Sequence, residues 1–449
     1  MQKNYIWKSK IKIKSKICRI CSLIILFALA MPVFADEIEY LDLATADTTD
    51  VCDHSKPNFV SAFLSRRARI IRSRMNESMV SDKLSADAFW KTMHTSLDDG
   101  TFTNRVAGIQ TRDNKMGSDL FLSTIYASIN QVPVTYRSVS PRGDSITLSG
   151  KMFIPKTKHV KNIIIASHYT ICSNREAPSM ASSIEGIFAT KDYIVLMPDY
   201  IGYGVSDSLT HPYLHLKSTV SSAIDLLKAA LPYLRANCYL FSDELILVGY
   251  SQGGAATLAL QKTLEEEYAD EFPILHVFAG AGPYDLTGTF DFYISNQKTD
   301  ISCTLPMLVV GMDYGENLGL NREDFFQPYL EDNYSYLIES KWHFMNDVNT
   351  ALGDDISELL KPIIFHPDTY PTSLLYEAVK RNCILHWTPK SPMYMLHSTE
   401  DNMVPFLNSE HIKAEFDKQG LDNIEYDFAP YGNHMHGAVT FFEKVYRML

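Results

Sequence analysis

Gly249-Tyr250-Ser251-Gln252-Gly253 follows the apolar run Glu244-Leu245-Ile246-Leu247-Val248 and precedes Gly254-Ala255-Ala256-Thr257-Leu258-Ala259-Leu260-Gln261. The first run has the length and content of a buried strand, and the second is rich in small, helix-forming residues. Between them stands a G-x-S-x-G pattern, in which a strand turns sharply into a helix and holds a serine at the apex. Side chains beside that serine would crowd the approach of strand and helix, so glycine is needed there. Three fixed positions in five recur by chance, and a plain glycine-rich turn between two core elements is the competing reading. The strand-turn-helix context favours a serine placed to attack a carbonyl.

Outward from this turn the chain alternates. Val134–Val139 and Ile146–Ile154 flank the turn residues Pro141-Arg142-Gly143-Asp144 and predict a β-hairpin. Asn162–Ser167 and Tyr193–Met197 are continuous apolar runs of the kind buried on both faces of a parallel sheet. Helix-like segments separate them, and a long one from Ser218 to Arg235 leads to the strand before Ser251. Ile274–Gly280, Met393–Leu396 and Ile424–Phe428 extend the pattern, and a helix is expected from Ala438 to Met448. Strand alternating with helix predicts an α/β fold with a mostly parallel sheet. The alternation stops between about Leu286 and Lys390, an aromatic-rich stretch too long for a loop in a compact domain. It reads as a folded cap insertion, in which Leu305–Gly311 has strand-like content but cap-helix surroundings. The expected organisation is a signal peptide at 1–35, a helical N-terminal extension at 36–130, and the α/β domain at 131–449 with its cap at about 286–390. The extension rests on helical patches at Phe59–Ile71 and from Leu120 to Ile129.

The first 35 residues carry seven Lys and Arg and no acid, then the apolar run Ser22–Ala30 and the small-residue site Val33-Phe34-Ala35. That is the plan of a secretory signal cleaved after Ala35, and the apolar run is shorter than the roughly 20 residues of a spanning helix. An exported protein is expected, in the periplasm, at the cell surface or outside the cell, with no stable membrane insertion once the signal is removed. Cleavage takes the formal charge from −12 to −19. So acidic a chain lacks the basic footprint that nucleic acid demands. Cys52, Cys172, Cys238, Cys303 and Cys383 remain; none has C-x-x-C spacing, and the sequence assigns neither their pairing nor an oligomeric state.

A serine hydroxyl is a weak nucleophile without a base in reach and an acid to orient that base. The expected chain order on such a sheet is serine, acid, histidine. Asp401 is the expected acid, in the polar loop after Met393–Leu396; Glu400 is its near rival and Asp285, beyond Gly280, the alternative acid. Tyr431-Gly432-Asn433-His434-Met435-His436-Gly437 supplies the base, His434 being preferred and His436 the alternative. Oxyanion donors are expected from the amide of Gln252 and from Tyr169 or Thr170, in the loop after Asn162–Ser167. His168 reads as a loop-shaping residue.

Together, Ser167-His168-Tyr169, Pro198-Asp199-Tyr200-Ile201-Gly202-Tyr203-Gly204-Val205-Ser206, Gly249–Gly254, Asp401-x-x-Val404-Pro405 and His434 resemble the α/β-hydrolase superfamily. The G-Y-S-Q-G-G turn, the export signal and the large cap resemble its secretory-lipase-like esterases. Tyr169 departs from the glycine that many relatives carry after the histidine. The resemblance covers about Val132 to Leu449 and implies a carboxylic ester hydrolase with a Ser251–His434–Asp401 triad and a small-molecule or lipid ester substrate. It implies no metal and no organic cofactor, and it makes Pro198-Asp199-Tyr200 a structural turn. A serine peptidase on the same sheet and an inactive secreted binding protein are the alternatives.

Overall fold

The computed structural model describes residues 38–46, 90, 93–94 and 129–449. The signal segment 1–35, the patch Phe59–Ile71, the patch beginning at Leu120 and almost all of the extension 36–130 lie outside the described residues.

The apolar runs become strands because each can bury both faces. Among the described residues one sheet has nine strands: β1 Leu41–Asp42, β2 Ile129–Val139, β3 Ser145–Pro155, β4 Ile163–Ser167, β5 Ile194–Pro198, β6 Leu245–Tyr250, β7 Ile274–Gly280, β8 Met393–Ser398 and β9 Ile424–Ala429. Their order across the sheet is β1-β2-β3-β5-β4-β6-β7-β8-β9. β2 and β3 form the expected hairpin, with Val134 opposite Gly150, and β3 runs antiparallel to β5. From β5 through β9 every pairing is parallel. β4 shows why: Ile163 and Ile165 enter the core on one face, Ile164 and Ala166 the core on the other. Each such isoleucine contributes about 1.5–3 kcal/mol by leaving water.

Helices cover both faces. On one, α1 Leu216–Ala236 and α2 Gln252–Glu267 lie over the core that holds Ile163, Ile165 and Leu247. On the other, the C-terminal helix contributes Val439, Phe441, Phe442 and Val445 to the core that holds Ile164, Val248 and Phe278. The segment between β4 and β5 forms 3-10 turns, Asn174–Glu176 and Ile184–Lys191, where the sequence suggests a helix. Ser173 caps the first with its side chain, and at Gly186 a Cβ would stand 2.5 Å from the Phe153 ring.

Between β7 and β8 the chain runs through α3 Leu286–Asn296, α4 Thr304–Glu316, α5 Pro328–Tyr334, α6 Met345–Leu352 and α7 Thr372–Arg381. They share a third apolar core built on Phe290, Leu308, Phe325, Leu330 and Leu375. The strand-like Leu305–Val310 is helical because it packs in this core as part of α4. After β8 come α8 Leu407–Lys418, β9, and α9 His434–Met448. α9 begins four residues before the expected Ala438: the Asn433 side chain accepts the N–H groups of Met435 and His436 and caps the helix there. Among the described residues no helix is long and apolar enough to cross a membrane.

Cys238 is disulfide-bonded, whereas Cys172, Cys303 and Cys383 are not.

Candidate active site

The parallel strands end on one edge of the sheet, where their loops converge. Ser251 sits at the end of β6 with φ +61° and ψ −127°, a backbone that non-glycine residues rarely adopt. Its N–H donates to Gly280 O (2.9 Å), which ties the strained turn to β7. The flanking glycines are sterically required: a Cβ at Gly249 would lie 2.2 Å from Gly253 O, and one at Gly253 2.0 Å from Ser167 O. Strain at a sharply folded turn is what keeps a serine at the apex.

The loop after β8 brings the acid. Asp401 is fully buried, and its Oδ1 accepts the N–H groups of Met403 and Val404, both at 2.8 Å. Its Oδ2 lies 2.6 Å from His434 Nδ1. Burial alone would raise the carboxyl, but the neighbouring His434 charge and the hydrogen bonds of His397 and His434 hold it well below the usual carboxylate range. Asp401 is therefore ionised and oriented against one nitrogen of the imidazole, which leaves the other for proton transfer.

His434 is the first residue of α9, where the sequence suggests a loop. Its backbone N–H donates to Asn402 Oδ1 (3.1 Å), and its carbonyl accepts the Tyr250 hydroxyl (2.8 Å). The Tyr250 ring lies 4.9 Å from the imidazole, centroid to centroid. The residue before the strained serine thus holds the histidine from below. Glu400 accepts Gly432 N–H (3.1 Å), and Ser398 Oγ donates to Gly432 O, so the loops after β8 and β9 are laced together. His436 turns to its own cap, with Nδ1 2.7 Å from Asn433 Oδ1. Asp285 caps α3 through Gly288 N–H and pairs with His411 Nδ1 at 2.7 Å. The structure therefore brings together Asp401 and His434, and it leaves Glu400, Asp285 and His436 with other partners.

Gln252 opens α2, where backbone N–H groups have no intrahelical acceptor and the helix dipole favours negative charge. Its side-chain Nε2 lies 3.4 Å from His211 Nε2, and His211 Nδ1 donates to Ile201 O (2.7 Å). Burial lowers His211 to about 3, so it is neutral and can accept from Gln252. Of the two expected oxyanion residues in the β4 loop, Thr170 lines the cleft beside Ser251 and Gln252, its hydroxyl 2.9 Å from the Tyr213 hydroxyl. Tyr169 packs instead with Ile171, Ala177 and Tyr203. His168 is buried, lowered to about 4 by that burial, and stacked 4.0 Å from the Tyr200 ring, a loop-shaping place. Asp199 accepts Ser179 N–H and the Ser149 hydroxyl, as a structural turn requires.

A cleft opens over Ser251. Its floor is the Ser251 turn; its walls are Leu286, Phe290, Leu305 and Leu308 from α3 and α4, with Met403 and Val404 from the β8 loop. A carbonyl over Ser251 would carry its apolar tail between α3 and α4. Among the described residues no group of three or more His, Cys, Asp or Glu is placed to hold a metal ion. Sequence reasoning missed Tyr250, His211 and Asn433. Asn433, directly before His434, carried the signal of a helix cap.

These features define an α/β-hydrolase fold with a capped cleft over a strained serine. An esterase from Xanthomonas oryzae that degrades rice cell wall has the same fold (TM-score 0.64, 23% identity, 73% of this chain and 92% of that chain). Candida antarctica lipase A shares it more distantly (TM-score 0.53, 16% identity, 69% and 74%). Within the fold, the match is to the secretory lipase family, whose model covers residues 183–315. A secreted triacylglycerol lipase of Malassezia furfur is 24% identical over 257 residues. That match takes in 54% of this chain and spans 61% of the relative's length.

Proposed function

We propose that this chain is an exported serine hydrolase that cleaves carboxylic esters. The observation that carries the reading is the buried Asp401–His434 couple, 2.6 Å apart, seated on Tyr250 next to the strained Ser251. In the proposed cycle His434 Nε2 takes the Ser251 proton as Oγ forms a bond to the ester carbonyl carbon. The oxyanion receives the Gln252 amide and a donor of Thr170, and collapse expels the alcohol with the proton from His434. Water then repeats the sequence on the acyl-serine and releases the acid. Asp401 orients the imidazole and stabilises its charged form. The apolar walls of the cleft support an acyl group as the bound moiety, and the Malassezia furfur relative, a triacylglycerol lipase, supports a lipid ester as substrate. The leader-like first 35 residues and the secreted relative support export.

The test is hydrolysis of p-nitrophenyl acetate, butyrate, octanoate and palmitate by the mature chain beside Ser251→Ala, with aminoacyl-nitroanilides as the amide control. Ester cleavage that drops by about 10⁴-fold or more in the variant is expected. Cleavage of the anilides alone, or equal rates in both proteins, would refute the reading.

A further inference from the structure

We infer that His397 is a second imidazole on Asp401: its Nε2–H donates to Asp401 Oδ2, the oxygen that also receives His434, and so positions the carboxylate against His434. This deepens the proposed function and rests on the Ser251–His434–Asp401 reading. His397 is the fifth residue of β8, four before Asp401, and both side chains are fully buried. Its Nε2 lies 3.3 Å from Asp401 Oδ2 and 3.2 Å from Val404 O. Both neighbours are acceptors, and a lone pair there would face two oxygens, so Nε2 bears the proton. Nδ1 then accepts the Ser409 hydroxyl at 2.7 Å, which fixes this tautomer from the far side of the ring. Phe406 packs edge-on against the ring, with centroids 5.4 Å apart, and closes the remaining side.

Asp401 thus has two backbone donors on Oδ1, and at Oδ2 it meets His434 Nδ1 at 2.6 Å and His397 Nε2 at 3.3 Å. A donor on Oδ2 draws charge from the oxygen that stabilises the His434 imidazolium. It also fixes the carboxylate plane, and misplacement far smaller than a bond length matters for proton transfer. The titratable groups that face this pair are Tyr250 under His434, Tyr293, whose hydroxyl donates to Met403 O, and Glu400, which is engaged with Gly432. Among the described residues, the side-chain cations within ion-pair distance of the Asp401 carboxylate are His434 and His397.

A His397 that merely closed the Asp401–Val404 turn would affect stability and leave the pH profile in place. The test compares wild type, His397→Phe and His397→Gln by kcat, KM, the acid limb of kcat/KM and the thermal midpoint. Phenylalanine removes the donor; glutamine keeps an N–H at similar reach. For His397→Phe the expected result is a kcat lower by roughly tenfold to a hundredfold with KM little changed. Its acid limb moves to higher pH, and His397→Gln recovers most of both. A folded His397→Phe with wild-type kcat and an unmoved limb would overturn the inference. Should that variant not fold, ¹⁵N spectra of histidine-labelled wild type decide: protonated Nε2 with bare Nδ1 supports it, and the opposite tautomer overturns it. If Ser251→Ala keeps its ester activity, the triad reading itself has failed, whatever His397 does.

Discussion

Asp401 concentrates the chemistry at the scale of one residue. Its folded carboxyl lies below the value it would have in the unfolded chain, so its stabilisation is fully present above about pH 4 and is lost as pH falls further. A thermal midpoint that declines below pH 4 in wild type and less steeply in Asp401→Asn is the expected signature; parallel curves would contradict it. Asp401→Asn should also lower kcat by about 10³–10⁴, because a neutral amide neither fixes the imidazole tautomer nor stabilises its charge. The strand-to-helix turn at Ser251 and Gln252 and the meeting of Asp401 with His434 were legible at this scale because motif and chain order single them out. His397 and Tyr250 were not, since their roles exist only where β6, β8 and α9 meet.

Elements decide whether those residues meet. Gly253→Ala would push a methyl group to 2.0 Å from Ser167 O and force α2 away from β4. Loss of ester hydrolysis with a lowered thermal midpoint is expected; wild-type behaviour in both would mean that the turn is looser than described. At the other side of the site, Asn433→Ala removes the cap that starts α9 at His434, at a cost of ~1 kcal/mol. Activity should fall more than that loss of stability implies, since the frayed turn is the one that carries the base. In α4, Leu308→Trp narrows the cleft and should depress palmitate and octanoate hydrolysis relative to acetate; an unchanged chain-length profile would remove α4 from the acyl path. The sheet strands were legible as apolar runs that need no context. The start of α9 was not, because the cap at Asn433 precedes the apolar pattern; α4 was legible only from its surroundings, since Leu305–Gly311 by itself has strand-like content.

Over the whole molecule, stability is set partly by groups the reaction does not use. Glu185 is fully buried, its carboxyl oxygens have no side-chain partner among the described residues, and burial raises it to about 7. The folded state keeps a proton that the unfolded chain releases near pH 4, so the associated stability is complete below that pH and is lost as pH rises through about 7. Glu185→Met should therefore raise the thermal midpoint at pH 8 and do much less at pH 4; an equal gain at both would contradict the assignment. The disulfide at Cys238 is a second global device, whose pairing the spacing of the cysteines did not reveal because distance along the chain says little about distance in space.

The central claim is that Ser251 is the nucleophile of an ester-cleaving triad. Labelling by a fluorophosphonate, with the adduct located by peptide mass spectrometry, tests it most directly. One adduct on Ser251 is expected, absent in Ser251→Ala and formed far more slowly in His434→Gln. No adduct on the folded protein, or an adduct on another residue, would contradict it.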